Sequence, residues 1–335
     1  MIRSLRVILC IAVLASYASA QTTLNGAGAT FPYPIYSKWF SEYHKEHSDV
    51  QINYQSIGSG GGIRQVQAGT VDFGASDGPM SDQQIAESKV KVLHVPTVLG
   101  SVVLAYNIPG VNVEIKFSPE ALAGIFLGKI SKWNDKAITS LNPGINFADQ
   151  NITVVHRSDG SGTTYIFTDY LSKVSPDWQS AVGKGVSVRW PVGIGGKGSE
   201  GVSGAIRQLP GSIGYVELIY ALQNNILFGS VRNSSGQFIK ASLESTTAAA
   251  SGVKMPADFR VSITNPPAKT AYPIASFTWL LIPTHPADAN KGKILKDLLF
   301  WMLDQGQGMT NALSYASLPK DVVAKEKTAI TAQIH

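Results

Sequence analysis

Residues 152–165 read Ile-Thr-Val-Val-His-Arg-Ser-Asp-Gly-Ser-Gly-Thr-Thr-Tyr. Ile152 to Arg157 is rich in β-branched residues and is expected as a strand. A helix is expected from Gly162 to Ser172, with Ile166, Phe167, Tyr170 and Leu171 as its apolar stripe. Only Ser158, Asp159, Gly160 and Ser161 stand between them, all residues of turns and helix caps. A strand that feeds a helix through a tight turn is the repeating unit of an α/β protein.

The alternation continues outward from this unit. Tyr33 to His47 places Ile35, Tyr36, Trp39, Phe40 and Tyr43 at helical spacing, with Pro34 suited to a first turn. Val50 to Ser56 alternates as a strand, Ile63 to Gly69 reads as a short helix, and Val71 to Ala75 as a buried strand. Ser81 to Ser88 is helical, and Val90 to Val95 and Ser101 to Asn107 read as two separate extended segments. Beyond them, Pro119 to Leu127 is a helix. On the far side, the glycine-rich Gly193 to Gly201 precedes a helix from Val202 to Leu209. Pro256 to Pro267 is a loop-rich linker, Ile274 to Pro283 an apolar strand, and Asn290 to Gln305 an amphipathic helix. This order predicts an α/β fold with mostly parallel sheets. The length of 335 residues predicts two lobes, because single cores stop growing near ~250–300 residues.

Composition removes several function classes. With 44% hydrophobic and 15% charged residues, the chain is too apolar for disorder. Its one cysteine, Cys10, excludes a disulfide framework or a cysteine zinc site. The histidines at 44, 47, 94, 156, 285 and 335 lack HExxH spacing, so no metal is expected, and no cofactor. The net charge of +5 comes without any Lys/Arg run, which argues against a nucleic-acid partner. Arg3 and Arg6, the apolar run Val7 to Ala15 and the small residues Ala18-Ser19-Ala20 read as a secretory signal peptide over residues 1–20. Leu9 before Cys10 is a poor lipoprotein signal. The mature chain is expected to be free of membrane spans and located outside the cytoplasm.

The informative residues cluster at three turns. They are Gly26-Ala-Gly-Ala-Thr-Phe31, Gly58-Ser-Gly-Gly-Gly62 and Arg157-Ser-Asp-Gly-Ser-Gly-Thr163, each opening a helix. A helix start leaves about four backbone N–H groups unpaired and carries roughly half a positive charge. Glycine admits close approach and Ser/Thr add hydroxyl donors, so each turn suits an anion. Taken singly, each is equally a plain cap. Three together, two of them directly after strands, favour a ligand site at the strand ends. Arg157 could grip an oxyanion with its fork, and Asp159 could hold that fork in place. Asp77 follows the strand Val71 to Ala75; by itself it also reads as a turn residue in Asp77-Gly78-Pro79.

Competing motifs are weaker. Gly74-Ala-Ser-Asp-Gly78 fits the G-x-S-x-G elbow of serine hydrolases, but Gly78-Pro79 stands where a helix must follow. Gly193-Ile-Gly-Gly-Lys-Gly198 fits G-x-G-x-x-G without a clear preceding strand.

At these turns the chain resembles the PstS family, the periplasmic phosphate-binding components of ABC phosphate importers. The stretches that carry the resemblance are Gly26 to Pro32, Ile57 to Gly62, Val71 to Asp77, Arg157 to Thr163, Gly193 to Gly198, Leu209 to Glu217 and Tyr315 to Pro319, spread over the whole mature chain. The resemblance implies a two-lobe, type II-like periplasmic binding protein fold with phosphate in the cleft and hinge strands between the lobes. The first lobe would combine residues 21–107 with 276–335, and the second would be 108–275.

It also implies Thr30, Phe31 (through its backbone N–H), Ser59, Asp77, Arg157, Ser161, Gly162 and Thr163 as phosphate-binding residues, with Asp159 orienting Arg157. Gly60 and Ser158 depart from the family pattern without removing a donor. The implied role is that of a non-catalytic, monomeric periplasmic binder that delivers inorganic phosphate to permease subunits in the inner membrane. Asp77 would accept a hydrogen bond from protonated phosphate and reject fully ionised sulfate. Alternatives are another tetrahedral oxyanion, a phosphoesterase or serine hydrolase using Ser76 or Ser59, and a surface-presented phosphate binder without a transport role.

Overall fold

A computed structural model describes residues 21–335; the expected signal peptide at 1–20 lies outside the described residues. Two α/β lobes share one continuous sheet path. At one end, Thr22–Gly28 pairs in parallel with Val50–Ser56 and with Phe73–Ser76. Ala275–Pro283 follows, antiparallel to Phe73–Ser76 and to the first part of Val92–Asn107. The second part of that long strand, Val102 to Asn107, pairs antiparallel with Ser212–Glu217. Ser212–Glu217 pairs in parallel with Thr153–Arg157, and Thr153–Arg157 with Ile194–Gly196.

The sheet is therefore mixed, not mostly parallel. Away from the junction the main sheet pairs in parallel, in the usual α/β manner. Val92–Asn107 and Ala275–Pro283 run against their neighbours where the lobes join, Leu227–Phe228 pairs antiparallel with Val92–Asn107, and a separate three-stranded sheet of Lys116–Phe117, Ser230–Arg232 and Phe238–Ile239 is mixed. The segments Val90 to Val95 and Ser101 to Asn107 are one 16-residue strand, buried from Leu93 to Tyr106. Pro96, which has no N–H to give a ladder, breaks the pattern in the sequence. In the structure a register shift opposite Thr278 and Trp279 absorbs it as a bulge.

Two helices begin earlier than their apolar residues suggest. Ser59–Ala68 takes in Gly60, Gly61 and Gly62, and Gly198–Gln208 starts at Gly198. The reason is packing. A Cβ at Gly62 would stand 2.6 Å from the Gly28 Cα and from the carbonyl oxygens of Ala27 and Ala75. Glycine lets the helix start press onto the strand ends. Thr22–Gly28, Ser212–Glu217 and the C-terminal helix Lys320–Gln333 are elements the sequence pattern does not predict; the composition of Thr22–Gly28 is poor for a strand, and pairing on both sides holds it.

The helix Tyr33–Glu46 matches its expectation, with Ile35, Tyr36, Trp39, Phe40 and Tyr43 buried. Trp39, Trp133, Trp178 and Trp279 are the largest fully buried side chains of the core. The parallel strands aim their carboxyl ends at the turns that carry Thr30, Gly58, Asp77, Arg157 and Gly198. That is where ligands sit in open α/β sheets.

Candidate anion-binding site

The third turn is built by a cap and a fork. Ser161 is the N-cap of Gly162–Val174 and accepts from Thr164 N–H at 3.1 Å, which leaves the N–H groups of Gly162 and Thr163 free of that cap. Arg157 is 4% exposed, so its charge needs a partner. Asp159 supplies one through Nε at 2.7 Å and Nη2 at 2.5 Å, a two-pronged grip that fixes the guanidinium plane. The remaining nitrogen, Nη1, lies 3.4 Å from Thr163 Oγ1. Burial works to raise the Asp159 carboxyl, but the Arg157 hydrogen bonds and charge, with the Gly198 N–H at 3.0 Å, hold it below its ordinary range.

The second turn lies against the third. Gly58 has φ +85°, and a Cβ there would stand 2.6 Å from the Gly160 carbonyl. Gly60 N–H donates to that carbonyl at 2.9 Å. Ser59 is fully buried; its Oγ accepts from Asp77 N–H at 3.1 Å and lies 3.4 Å from Asp77 Oδ2. Gly162 packs against both Ser59 and Asp77.

Asp77 is 1% exposed at the end of Phe73–Ser76. Its Oδ1 accepts from Thr278 Oγ1 at 2.8 Å. Burial raises its carboxyl from 3.8 to about 7, against the opposing effects of Thr278, the Arg157 charge and Ser59. The carboxylate thus bonds side chains far away in sequence and does not close a local turn.

The first turn is buried too. Thr30 Oγ1 lies 2.8 Å from Ser199 Oγ, and the Thr30 carbonyl accepts from the Tyr220 hydroxyl at 2.6 Å. The Phe31 carbonyl accepts from the Tyr315 hydroxyl at 2.6 Å. Thr30, Phe31, Ser59, Asp77, Arg157, Ser161, Gly162 and Thr163 are therefore buried at strand and helix ends, and Asp159 is partly exposed beside them. The sequence reading missed Thr278, Ser199, Tyr220 and Tyr315. A hydroxyl inside the apolar run Ala275–Pro283 was a usable signal for Thr278. Tyr220 and Tyr315 carry no local signal, since their partners are 190 and 284 residues away. Ser76 of the hydrolase-like motif donates to the Gly78 carbonyl inside its own turn and is fully buried.

The comparisons with known proteins agree with this architecture. A family model described as a PBP superfamily domain matches residues 15–305. The phosphate-binding protein PstS of Xylella fastidiosa strain Temecula1 is 46% identical over 303 residues, covering 90% of this chain and 82% of the relative. PstS of Pasteurella multocida is also 46% identical, over 306 residues, covering 90% and 88%. The chain belongs to the PstS family of phosphate-binding proteins.

The fold is also shared by solved structures of low sequence identity to this chain. A high-affinity periplasmic phosphate-binding protein, PfluDING, solved with phosphate bound, matches with a TM-score of 0.77 at 22% identity, covering 92% of this chain and 94% of that one. A phosphate-binding protein from Stenotrophomonas maltophilia matches with a TM-score of 0.71 at 19% identity, covering 92% and 93%.

Proposed function

We propose that this chain binds inorganic phosphate in its cleft and, without catalysis, delivers it to the permease of an ABC importer. The observation that carries the reading is the meeting of the second and third donor-rich turns at one buried carboxylate, Asp77, with the first turn hydrogen-bonded to the second through the Gly28 carbonyl. The binding set is Thr30, the Phe31 N–H, Ser59, Asp77, Arg157, Ser161, Gly162 and Thr163, with Asp159 orienting Arg157. Neutral hydroxyls and helix-start amides supply most donors, and Arg157 supplies the one charge. Phosphate near neutral pH carries a proton that it can donate to Asp77. Sulfate has none and would meet a carboxylate with no hydrogen between them.

In this reading the first lobe combines residues 21–107 with 276–335, residues 108–275 form the second, and the lobes hinge shut on the anion. The protein works as a monomer in the periplasm after losing residues 1–20. Membership of the PstS family supports both the ligand and the partner.

The test is melting of residues 21–335, stripped of anion, with ~1 mM phosphate or sulfate. Binding at ~1 µM or tighter adds ~4 kcal/mol or more of stability. A rise of several degrees with phosphate alone supports the reading. No rise with either anion removes it.

A further inference from the structure

The Thr30–Phe31 peptide is held at both ends. Its N–H belongs to Phe31 and is a proposed phosphate donor. Its C=O belongs to Thr30 and accepts from the Tyr220 hydroxyl at 2.6 Å and from Tyr33 N–H at 3.2 Å. Tyr220 sits on the helix Leu218–Gln223, which follows Ser212–Glu217, the strand that meets the far half of Val92–Asn107. The contact therefore reaches across the cleft. Ser199, in the first turn of Gly198–Gln208, reaches the same residue by a second route, Oγ to Thr30 Oγ1 at 2.8 Å.

We infer that Tyr220 and Ser199 are positioning residues for the phosphate site, acting from the opposite lobe on the Thr30–Phe31 peptide and the Thr30 hydroxyl. The inference rests on the phosphate reading above. Its chemistry is donor alignment. A hydrogen bond to a peptide carbonyl polarises the amide and makes its N–H a stronger donor. Tyr220 is 4% exposed; burial, then the nearby Glu200 and Glu217 charges, hold its hydroxyl protonated well past its ordinary range. A Glu200 oxygen is a second acceptor for that hydroxyl at 3.1 Å, farther away than the Thr30 carbonyl at 2.6 Å.

Ser199 acts on the other group. Thr30 has one hydroxyl hydrogen, and giving it to phosphate requires Ser199 to be the donor of their shared bond. Ser199 thus turns the Thr30 hydrogen toward the anion. Both contacts form only with the lobes together, so they slow phosphate escape and leave its entry alone.

The experiment compares wild type, Tyr220→Phe and Ser199→Ala in stopped-flow phosphate binding, with the Phe31 amide followed by NMR. Tyr220→Phe should raise the phosphate off-rate about threefold to tenfold, the worth of one hydrogen bond, with the on-rate unchanged. The bound-state Phe31 amide proton should move upfield. Ser199→Ala should raise the off-rate similarly, but not in a Thr30→Val background, where the group it acts on is gone. Wild-type phosphate binding with unchanged off-rates and an unmoved Phe31 amide would overturn the positioning role and leave the phosphate reading intact. Absence of phosphate binding by wild type would overturn both.

Discussion

The Thr278 hydroxyl donates to Asp77 Oδ1 at 2.8 Å between two neighbouring antiparallel strands, and this fixes which carboxylate oxygen is left for a ligand. The bulge's extra residue, Thr97, lies opposite the step from Thr278 to Trp279, next to this hydrogen bond. Oδ2 remains, beside Ser59 and Gly162. Thr278→Val keeps the β-branched shape and deletes the donor. We expect phosphate affinity to fall about threefold to tenfold, one hydrogen bond's worth, by calorimetry. Unchanged affinity would mean that Asp77 needs no such anchor.

Asp77→Asn should invert the selectivity. An amide can donate where the carboxylate can only accept, so sulfate no longer meets a bare negative oxygen. Sulfate binding is expected to rise by roughly 100-fold or more, given that sites built for one hydrogen bond reject its absence by ~10⁴. Phosphate should weaken as its acceptor is lost. Sulfate titrated against both proteins reads the change, and a sulfate affinity that stays put would discard the proton-based account.

On the proposed hinge closure, Asp77 should make closing pH-dependent. Burial raises its carboxyl from 3.8 to about 7 in the closed geometry. Between those values the closed form holds a proton that a solvated Asp77 has released. The ligand-free closed form is then fully favoured below 3.8, weakens as pH rises toward 7, and levels off above. Scattering on anion-free protein should show a larger radius of gyration at pH 8 than at pH 5. Burial raises Glu217 as well, so the Asp77→Asn protein is the control. If the variant tracks wild type across the range, Asp77 is not the group responsible.

The sequence made some features legible and hid others. The strand–turn–helix units were readable because a period switch, a cap and glycines occur within a few residues, as at Arg157 to Thr163. The candidate site inherits this, since its donors lie in such turns. Of the two joining strands, Ala275–Pro283 is legible as an apolar strand, but Val92–Asn107 reads only as two separate pieces. Val92–Asn107 is buried on both faces, so it has no alternation, and its proline reads as a break. The helix starts at Ser59 and Gly198 were hidden because glycines there serve packing, not propensity. Tyr220 and Tyr315 depend wholly on tertiary contacts with residues far away in sequence.

Closure itself leaves no room for a methyl group at the third turn. A Cβ at Gly162 would stand 2.5 Å from Asp77 Cβ and Oδ2, where no real Cβ is found. One at Gly160 would stand 3.1 Å from the Gly60 Cα, tight but open to a shift of a few tenths of an ångström. In the proposed lobe division both contacts join opposite lobes, and they are expected to be lost on opening. Gly162→Ala should therefore spare the ligand-free protein. Gly162 is the first residue of its helix and has no left-handed backbone, so alanine fits there and ligand-free melting should hold. Phosphate should then add no further stability, whereas Gly160→Ala should keep a reduced rise. Melting with and without phosphate separates the two effects. A Gly162→Ala protein that still gains the full phosphate increment would show that the lobes need not meet at this point to hold the anion.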